Sequence, residues 1–381
     1  MQSVEFKYSS AASQDYRRLI SLCVAALATT QDRTTGLFNR QLRDRKLDLT
    51  IGTEDLTSTC ICLVGLDRFR NGTELPFISL QTSLASAIEL YRKRNYPGGL
   101  GLLIWANAVL GGIDLDGLQS AAGTGLGDGT KFASQLTTME TAWLLSGLLH
   151  EFNRLRSEAT RALAVAVLDA LRARFNPAAG LMIHAGSRAP FLERARGRIS
   201  NFADQIYSIQ ALSFAAIVLG DAEALRIAGQ IAATLVRHQG PLGQWWWHYD
   251  AARGTVAEKF PVYSVHQHAM APMAFMALHR AGGPKHAEAI GRSHAWLYRN
   301  EVGLSMVDVE AQTIWRDIER AESPVVSKLR RIRHLLPSTV TSATIQPHRL
   351  KVNFETRPYE WAWCLYAAAI AAEIGKGEHI V

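Results

Sequence analysis

The feature that most constrains this chain is an alternation of two kinds of helix across a glycine-bearing loop. A polar-faced helix runs into a loop holding glycine and bulky residues, and a more apolar helix follows. The loop glycines are Gly36, Gly101, Gly180, Gly243 and Gly303, at intervals of 65, 79, 63 and 60 residues. The longest interval contains a Gly-rich stretch at 111–129, which reads as an insertion. A hairpin of ~60 residues cannot bury both of its faces alone, so it must stack on its neighbours. The more apolar helix of each pair then goes inside and the more polar one outside.

Apolar spacing predicts helices over 13–30, 53–69, 79–94, 102–110, 132–152, 155–175, 201–219, 221–238, 263–280, 284–300 and 357–374. Strand signals are short and few, and 307–350 reads as a long loop segment. Five or six hairpins closing into a ring make an all-α fold, an (α/α)5-6 toroid forming a single domain over 1–381. An open solenoid is the alternative arrangement.

The 381 residues are 48% hydrophobic and 20% charged, which excludes a disordered chain. No apolar run reads as a membrane span, and the N-terminus lacks the basic-then-apolar order of a secretory signal. Cys23, Cys60, Cys62 and Cys364 show neither disulfide nor zinc spacing, so they read as reduced core residues of a cytoplasmic protein. The net charge of +7 arises from 32 Arg and 9 Lys against 34 acids, mostly dispersed. One dense run, 328–334, is either a solvated helix face or a peripheral contact with an anionic polymer or membrane surface. No nucleic-acid reading motif accompanies it.

The stretch with the most chemistry is 244–278. Trp245, Trp246, Trp247, His248, Tyr249 and Asp250 follow a Gly-rich turn, and a small-residue helix carrying His266, Gln267 and His268 begins near Tyr263. Three adjacent Trp either cap a core or floor a ligand pocket, and the ionisable neighbours favour the second.

With its loops Thr35-Gly-Leu-Phe-Asn39, Asn176-Pro-Ala-Ala-Gly-Leu-Met182 and Val302-Gly-Leu-Ser-Met306, the chain resembles the six-hairpin glycosidases and the terpenoid-cyclase and prenyltransferase toroids. The resemblance is architectural and spans nearly the whole chain. It implies that the Gly loops share one end of the ring, where inner-helix N-termini converge on a mouth. Free N–H groups and helix dipoles there favour an anionic ligand group.

Candidate site residues are then those at the starts of inner helices. Glu54 and Asp55 open the first, where favourable N-terminal charge is the plain explanation. Glu140 lies early in an otherwise apolar helix. Asp204, Gln205 and Tyr207 follow Asn201, with Asp204 and Tyr207 on one face. Tyr263 and His266 share a face, whereas His268 points elsewhere. Arg357, Tyr359, Glu360 and Trp361 open the last helix. Arg357 suits a carboxylate clamp, although Pro358 also marks an ordinary helix start.

The isoprenoid relatives protonate with a DxDD motif, of which only Asp114 and Asp116 are matched, and the DDxxD motif is absent. No Cys lies in a loop near a His, so zinc is not expected at those positions, nor is any other metal or cofactor. The first functional expectation is a carbohydrate-active enzyme on an anionic or uronate-containing glycan, of epimerase, lyase or hydrolase type. His266 and Tyr263 would be its acid/base pair, with Asp204 and Asp250 orienting or acting as carboxylates. Trp245, Trp247, His248, Gln205, Tyr207, Glu140, Arg357, Tyr359 and Trp361 would bind the substrate. The alternatives are an isoprenoid cyclase-like or prenyl-diphosphate-using enzyme and a non-catalytic helical-repeat binding protein.

Overall fold

The computed structural model describes residues 10–39, 42–43, 49–50, 54–70, 79–322 and 347–376. The basic run 328–334 and most of the second half of the 307–350 segment lie outside them. In chain order the helices are α1 (Ser10–Thr30), α2 (Leu56–Arg70), α3 (Leu80–Arg94), α4 (Leu100–Val109), α5 (Leu115–Ala122), α6 (Gly129–Ser134), α7 (Thr138–Leu155), α8 (Glu158–Arg172), α9 (Phe191–Ala195), α10 (Phe202–Leu219), α11 (Ala222–Arg237), α12 (Ala271–Arg280), α13 (Ala287–Trp296) and α14 (Pro358–Lys376). A π-helical turn, His266–Met270, leads directly into α12.

The most apolar helices need neighbours on every side, and the packing supplies them. α2 packs on α4, α4 on α7, α7 on α10, α10 on α12, α12 on α14 and α14 back on α2, closing a circuit among the described residues. The amphipathic helices lie outside: α1 on α14, α3 on α2 and α4, α8 on α7, α11 on α10 and α13 on the π turn. The stretch expected as an insertion carries α5, which packs on α3, while α6 just beyond packs on α8. Helix α10 has the length and hydropathy of a membrane span, which the sequence reading did not register. It is mostly buried as a member of the inner ring.

Four of the five punctuating glycines do sit in loops ahead of inner helices. Gly36, Gly180, Gly243 and Gly303 all have φ between 66° and 93°, where a side chain is strained. Gly101 is different, because it lies inside α4. A Cβ there would come within 2.3 Å of the Leu144 backbone nitrogen on α7, and one on Gly147 within 2.6 Å of the Gly101 carbonyl oxygen. These two glycines permit a close helix crossing rather than a turn.

Aromatic side chains fill the middle of the ring. Trp105 of α4 has ring centroids of His150, Trp363, Phe214 and Tyr366 at 5.1, 5.7, 5.9 and 6.1 Å. Trp143 lies edge-on to Tyr207, whose hydroxyl accepts the Trp363 indole N–H at 2.8 Å.

Two small antiparallel sheets stand next to inner-helix N-termini. In the first, β1 (Ile199–Asn201), β2 (His248–Asp250) and β3 (Thr255–Glu258) pair in that order, setting Asn201 opposite His248. In the second, β5 (Asp317–Arg320) lies between β4 (Val262–Tyr263) and β6 (Leu350–Asn353). Asp317 thereby stands opposite both Tyr263 and Asn353.

Candidate active site

Inner-helix N-termini leave unpaired backbone N–H groups, and carboxylates gather on them. Asp55 Oδ2 accepts the Ser58 N–H at 2.9 Å. Glu140 closes a capping box, its Oε2 accepting the Thr137 N–H at 2.9 Å, and its other oxygen takes a short hydrogen bond from Tyr96 Oη. Asp204 bridges two helices: Oδ1 accepts the Met139 N–H at 3.1 Å and Oδ2 the Asn201 N–H at 2.8 Å.

His184 joins this cluster. Its Nδ1 is 2.7 Å from Asp204 Oδ2 and its Nε2 is 2.7 Å from Glu193 Oε2, so both nitrogens carry protons. Burial pulls the imidazole pKa down. The Asp204 charge and the two hydrogen bonds outweigh that and raise it to about 8.

A second cluster is aromatic and cationic. His266 lies among Phe202 (4.5 Å), Tyr263 (5.2 Å) and Trp247, whose ring is nearly parallel at 6.2 Å. Burial, then the Arg316 charge, lowers the His266 pKa to about 3, so the ring is neutral, and its buried Nδ1 has no partner. The Arg316 guanidinium lies 5.1 Å from the Tyr263 ring centroid and 2.7 Å from Glu355 Oε1. Arg357 Nε makes a short bond to the same Glu355 oxygen. Burial raises the Tyr263 hydroxyl, with Asp317 adding to it, and pushes Asp317 itself up to about 7. Glu360, fully buried with neither carboxylate oxygen paired, is raised well above the usual range by desolvation.

Several predicted site residues are packed in the core or engaged by neighbouring backbone and charges. Trp245 is fully buried, with Phe202 stacked on it and Phe275 at its edge, so it is core rather than a sugar platform. Trp361 is likewise fully buried. Tyr207 belongs to the aromatic filling of the ring. Gln205 clamps backbone, accepting from Met182 N and donating to Met182 O. Asp250 caps its own turn by accepting from Ala252 N at 3.0 Å, and it pairs with Arg198 at 2.6 Å, which removes it as a free carboxylate. Asp204 and Tyr207 diverge, one towards His184 and the other towards Trp363.

The residues brought together are His266, Tyr263, Trp247, Arg357 and Tyr359, with His248 close by. Trp247 and Tyr263 remain partly exposed. His248 donates from Nδ1 to Glu258 at 3.2 Å and accepts at Nε2 from Arg196 at 3.1 Å. His268, turned away as expected, lies beside Cys364. Sequence reasoning missed Arg316, Asp317, His184, Glu193 and Tyr96. Glu193 and Asp204, the partners of His184, stand 9 and 20 residues along the chain from it, Glu140 stands 44 from Tyr96 and Glu355 stands 39 from Arg316, and no local pattern marks these pairs. Among the described residues, no group of three or more His, Cys, Asp or Glu is placed to hold a metal ion.

No family model and no curated protein matches the sequence. Solved structures do match in fold. The unsaturated glucuronyl hydrolase of Bacillus sp. GL1, described as responsible for glycosaminoglycan degradation, is 13% identical with a TM-score of 0.57, over 96% of this chain and 98% of that one. An unsaturated glucuronyl hydrolase specific for heparin is 12% identical at 0.59, over 97% and 98%. A sugar epimerase from a ruminal bacterium is 12% identical at 0.59, over 96% and 99%. The chain thus shares the mostly helical fold of these carbohydrate-active enzymes.

Proposed function

We propose that the chain is an enzyme performing acid/base chemistry on a uronate-containing glycan, at the mouth where the inner-helix N-termini of its α/α toroid converge. The observation that carries this reading is the pairing of a neutral His266 with Arg316 across Tyr263. A glycan carboxylate would dock on Arg316 and Arg357, whose planar forks match it, and the exposed part of Trp247 would take a sugar face. Neutralising the Arg316 charge would raise the basicity of His266 as the substrate arrives. His266 would then remove the proton from the carbon next to the carboxylate. Tyr263 would deliver a proton either to the opposite face of that carbon or to the departing glycosidic oxygen. The first outcome is epimerisation and the second is elimination.

Hydrolysis is the second reading, favoured by the carboxyls near Tyr96 on the other side: Glu140, Asp55 and Glu193 all bear on its hydroxyl. Such acids suit protonation of a leaving group. The folds of a sugar epimerase and of glucuronyl hydrolases support a carbohydrate substrate without choosing between the two.

The test is incubation with uronate oligosaccharides in deuterated water, followed by mass spectrometry and NMR, with His266→Ala as control. Deuterium at the carbon beside the carboxylate, or new unsaturation, absent with the variant, supports proton abstraction. Chain shortening without deuterium at carbon moves the chemistry to the acidic side. A parallel arm with prenyl diphosphates that yields cyclised product or free diphosphate overturns the carbohydrate reading. Binding without turnover leaves a helical-repeat binding protein.

A further inference from the structure

The short helix α9 stands in the connection between the outer helix α8 and the inner helix α10, and none of its residues is buried. Phe191 and Leu192, at its start, are 73% and 72% exposed. No other large apolar side chain among the described residues is more than 48% exposed. Single apolar side chains are ordinary on a surface, but two adjacent ones this bare mark a contact with something outside the chain.

The helix is pinned from its inner face, so the pair is held outwards. Glu193 Oε2 is 2.7 Å from His184 Nε2. Arg196, just past the helix, donates to Asn201 Oδ1 at 3.0 Å and to His248 Nε2 at 3.1 Å. The loop ahead of α9 is fastened to the end of α6: the Arg188 N–H donates to the Ser134 carbonyl oxygen at 2.9 Å, and a Cβ on Gly186 would come within 2.4 Å of that same oxygen. Glu193 is the one acid of 186–198, and its bond to His184 turns it inwards.

The outer face is left basic and apolar. Arg188, Pro190, Phe191, Leu192, Arg194 and Ala195 are all exposed. Arg194 Nε donates to the Ala189 carbonyl oxygen at 3.0 Å, and among the described residues neither it nor Arg188 is ion-paired. Two unpaired guanidiniums beside a bare Phe–Leu pair complement a surface that is anionic at its face and apolar beneath. A bilayer containing anionic lipid has that layering: Arg side chains stay at the headgroups while Phe and Leu enter the acyl boundary. An acidic polysaccharide would answer the charges and stack on Phe191, but it offers nothing to Leu192. We infer that α9 is a membrane-docking wedge, which seats the chain on anionic lipid through Phe191 and Leu192, with Arg188 and Arg194 at the headgroups. The inference does not rest on the uronate reading.

Co-sedimentation of the full chain with vesicles of phosphatidylcholine and phosphatidylserine in equal parts tests the proposal, with pure phosphatidylcholine vesicles alongside. Binding is expected to the mixed vesicles above all, and it should weaken in raised salt. The double variant Phe191→Ser, Leu192→Ser should weaken it at least about tenfold, and Arg188→Gln about fivefold. These side chains are exposed, so melting temperatures should not move. Leu192→Cys carrying an environment-sensitive fluorophore should shift to the blue on the mixed vesicles; the four native Cys are buried. No sedimentation with the mixed vesicles overturns the proposal. So does sedimentation that survives the double variant; its loss on changing Arg330, Arg331 and Arg333 to Gln would move the contact to the basic run 328–334. Binding of soluble heparin without binding of vesicles overturns it in favour of an acidic polymer. Dimerisation removed by the double variant, again without vesicle binding, overturns it in favour of a second copy of the chain.

Discussion

Two buried histidines play opposite roles, and their neighbours make them so. His184 sits between two carboxylates and holds a proton up to about pH 8. His266 sits among aromatic rings with a guanidinium nearby and stays neutral down to about pH 3. Both are deeply buried, so desolvation alone does not separate them. The sign of the nearest fixed charge does. A histidine with both nitrogens engaged by acids is a structural cation that locks Asp204 and Glu193 together. A neutral histidine with an unpartnered nitrogen can accept a proton.

The largest expected effect separates them by activity. His266→Ala should lower turnover on the responsive substrate by about two to four orders of magnitude with substrate binding kept. His184→Gln should cost stability first and leave turnover within about tenfold once the protein is folded. Steady-state kinetics on both variants, beside thermal melts, decides; loss of turnover confined to the His184 variant would reverse the assignment.

Next is stability. Asp204→Asn removes the counter-charge of His184 and weakens an acceptor shared by two helix N-termini, a loss of about 3 kcal/mol. The pH dependence carries the sign. The raised pKa of His184 contributes stability that is complete below 6.5 and lost as pH climbs through about 8, a step of about 2 kcal/mol. Denaturant melts across that window should show the step in the native protein and not in Asp204→Asn. His266 works the other way: its depressed pKa makes stability fall as pH drops below 6.5 towards 3.

A subtler change tests the guanidinium. Arg316→Met should raise the His266 pKa and move the acid limb of kcat/KM to higher pH, while weakening substrate binding. An unmoved limb would separate Arg316 from His266. The smallest effect is expected at Glu140→Gln, which keeps much of the capping geometry and should cost about 1 kcal/mol or less in a melt.

The helical plan was legible because a 3.6-residue apolar period survives into the structure wherever one face is buried. The first and last helices and most of those between fall within a few residues of expectation. Gly101 misled because glycine at a helix crossing and glycine in a turn look alike in one dimension. Trp245 and Trp361 misled because a ring's spacing does not tell which side of a loop or helix meets the core. Asp250 showed how a carboxylate in an aromatic stretch can answer to its own turn. Arg316 and His184 were invisible for the converse reason: neither stands beside a motif, and β5 or the start of α10 must form before either has neighbours.

The π turn at His266–Met270 closes with the Ala271 N–H donating to the His266 carbonyl, five residues back. Such a turn is an α-helix carrying one residue more than its hydrogen bonds require. Each residue of an α-helix turns the chain by about 100°. Deleting one residue inside the turn, such as Ala269, would restore an uninterrupted helix into α12 and swing His266 about a quarter of a turn away from Tyr263 and Trp247. The orientation of His266 is thus set by a single-residue insertion, and a lineage could gain or lose it in one step without touching the ring.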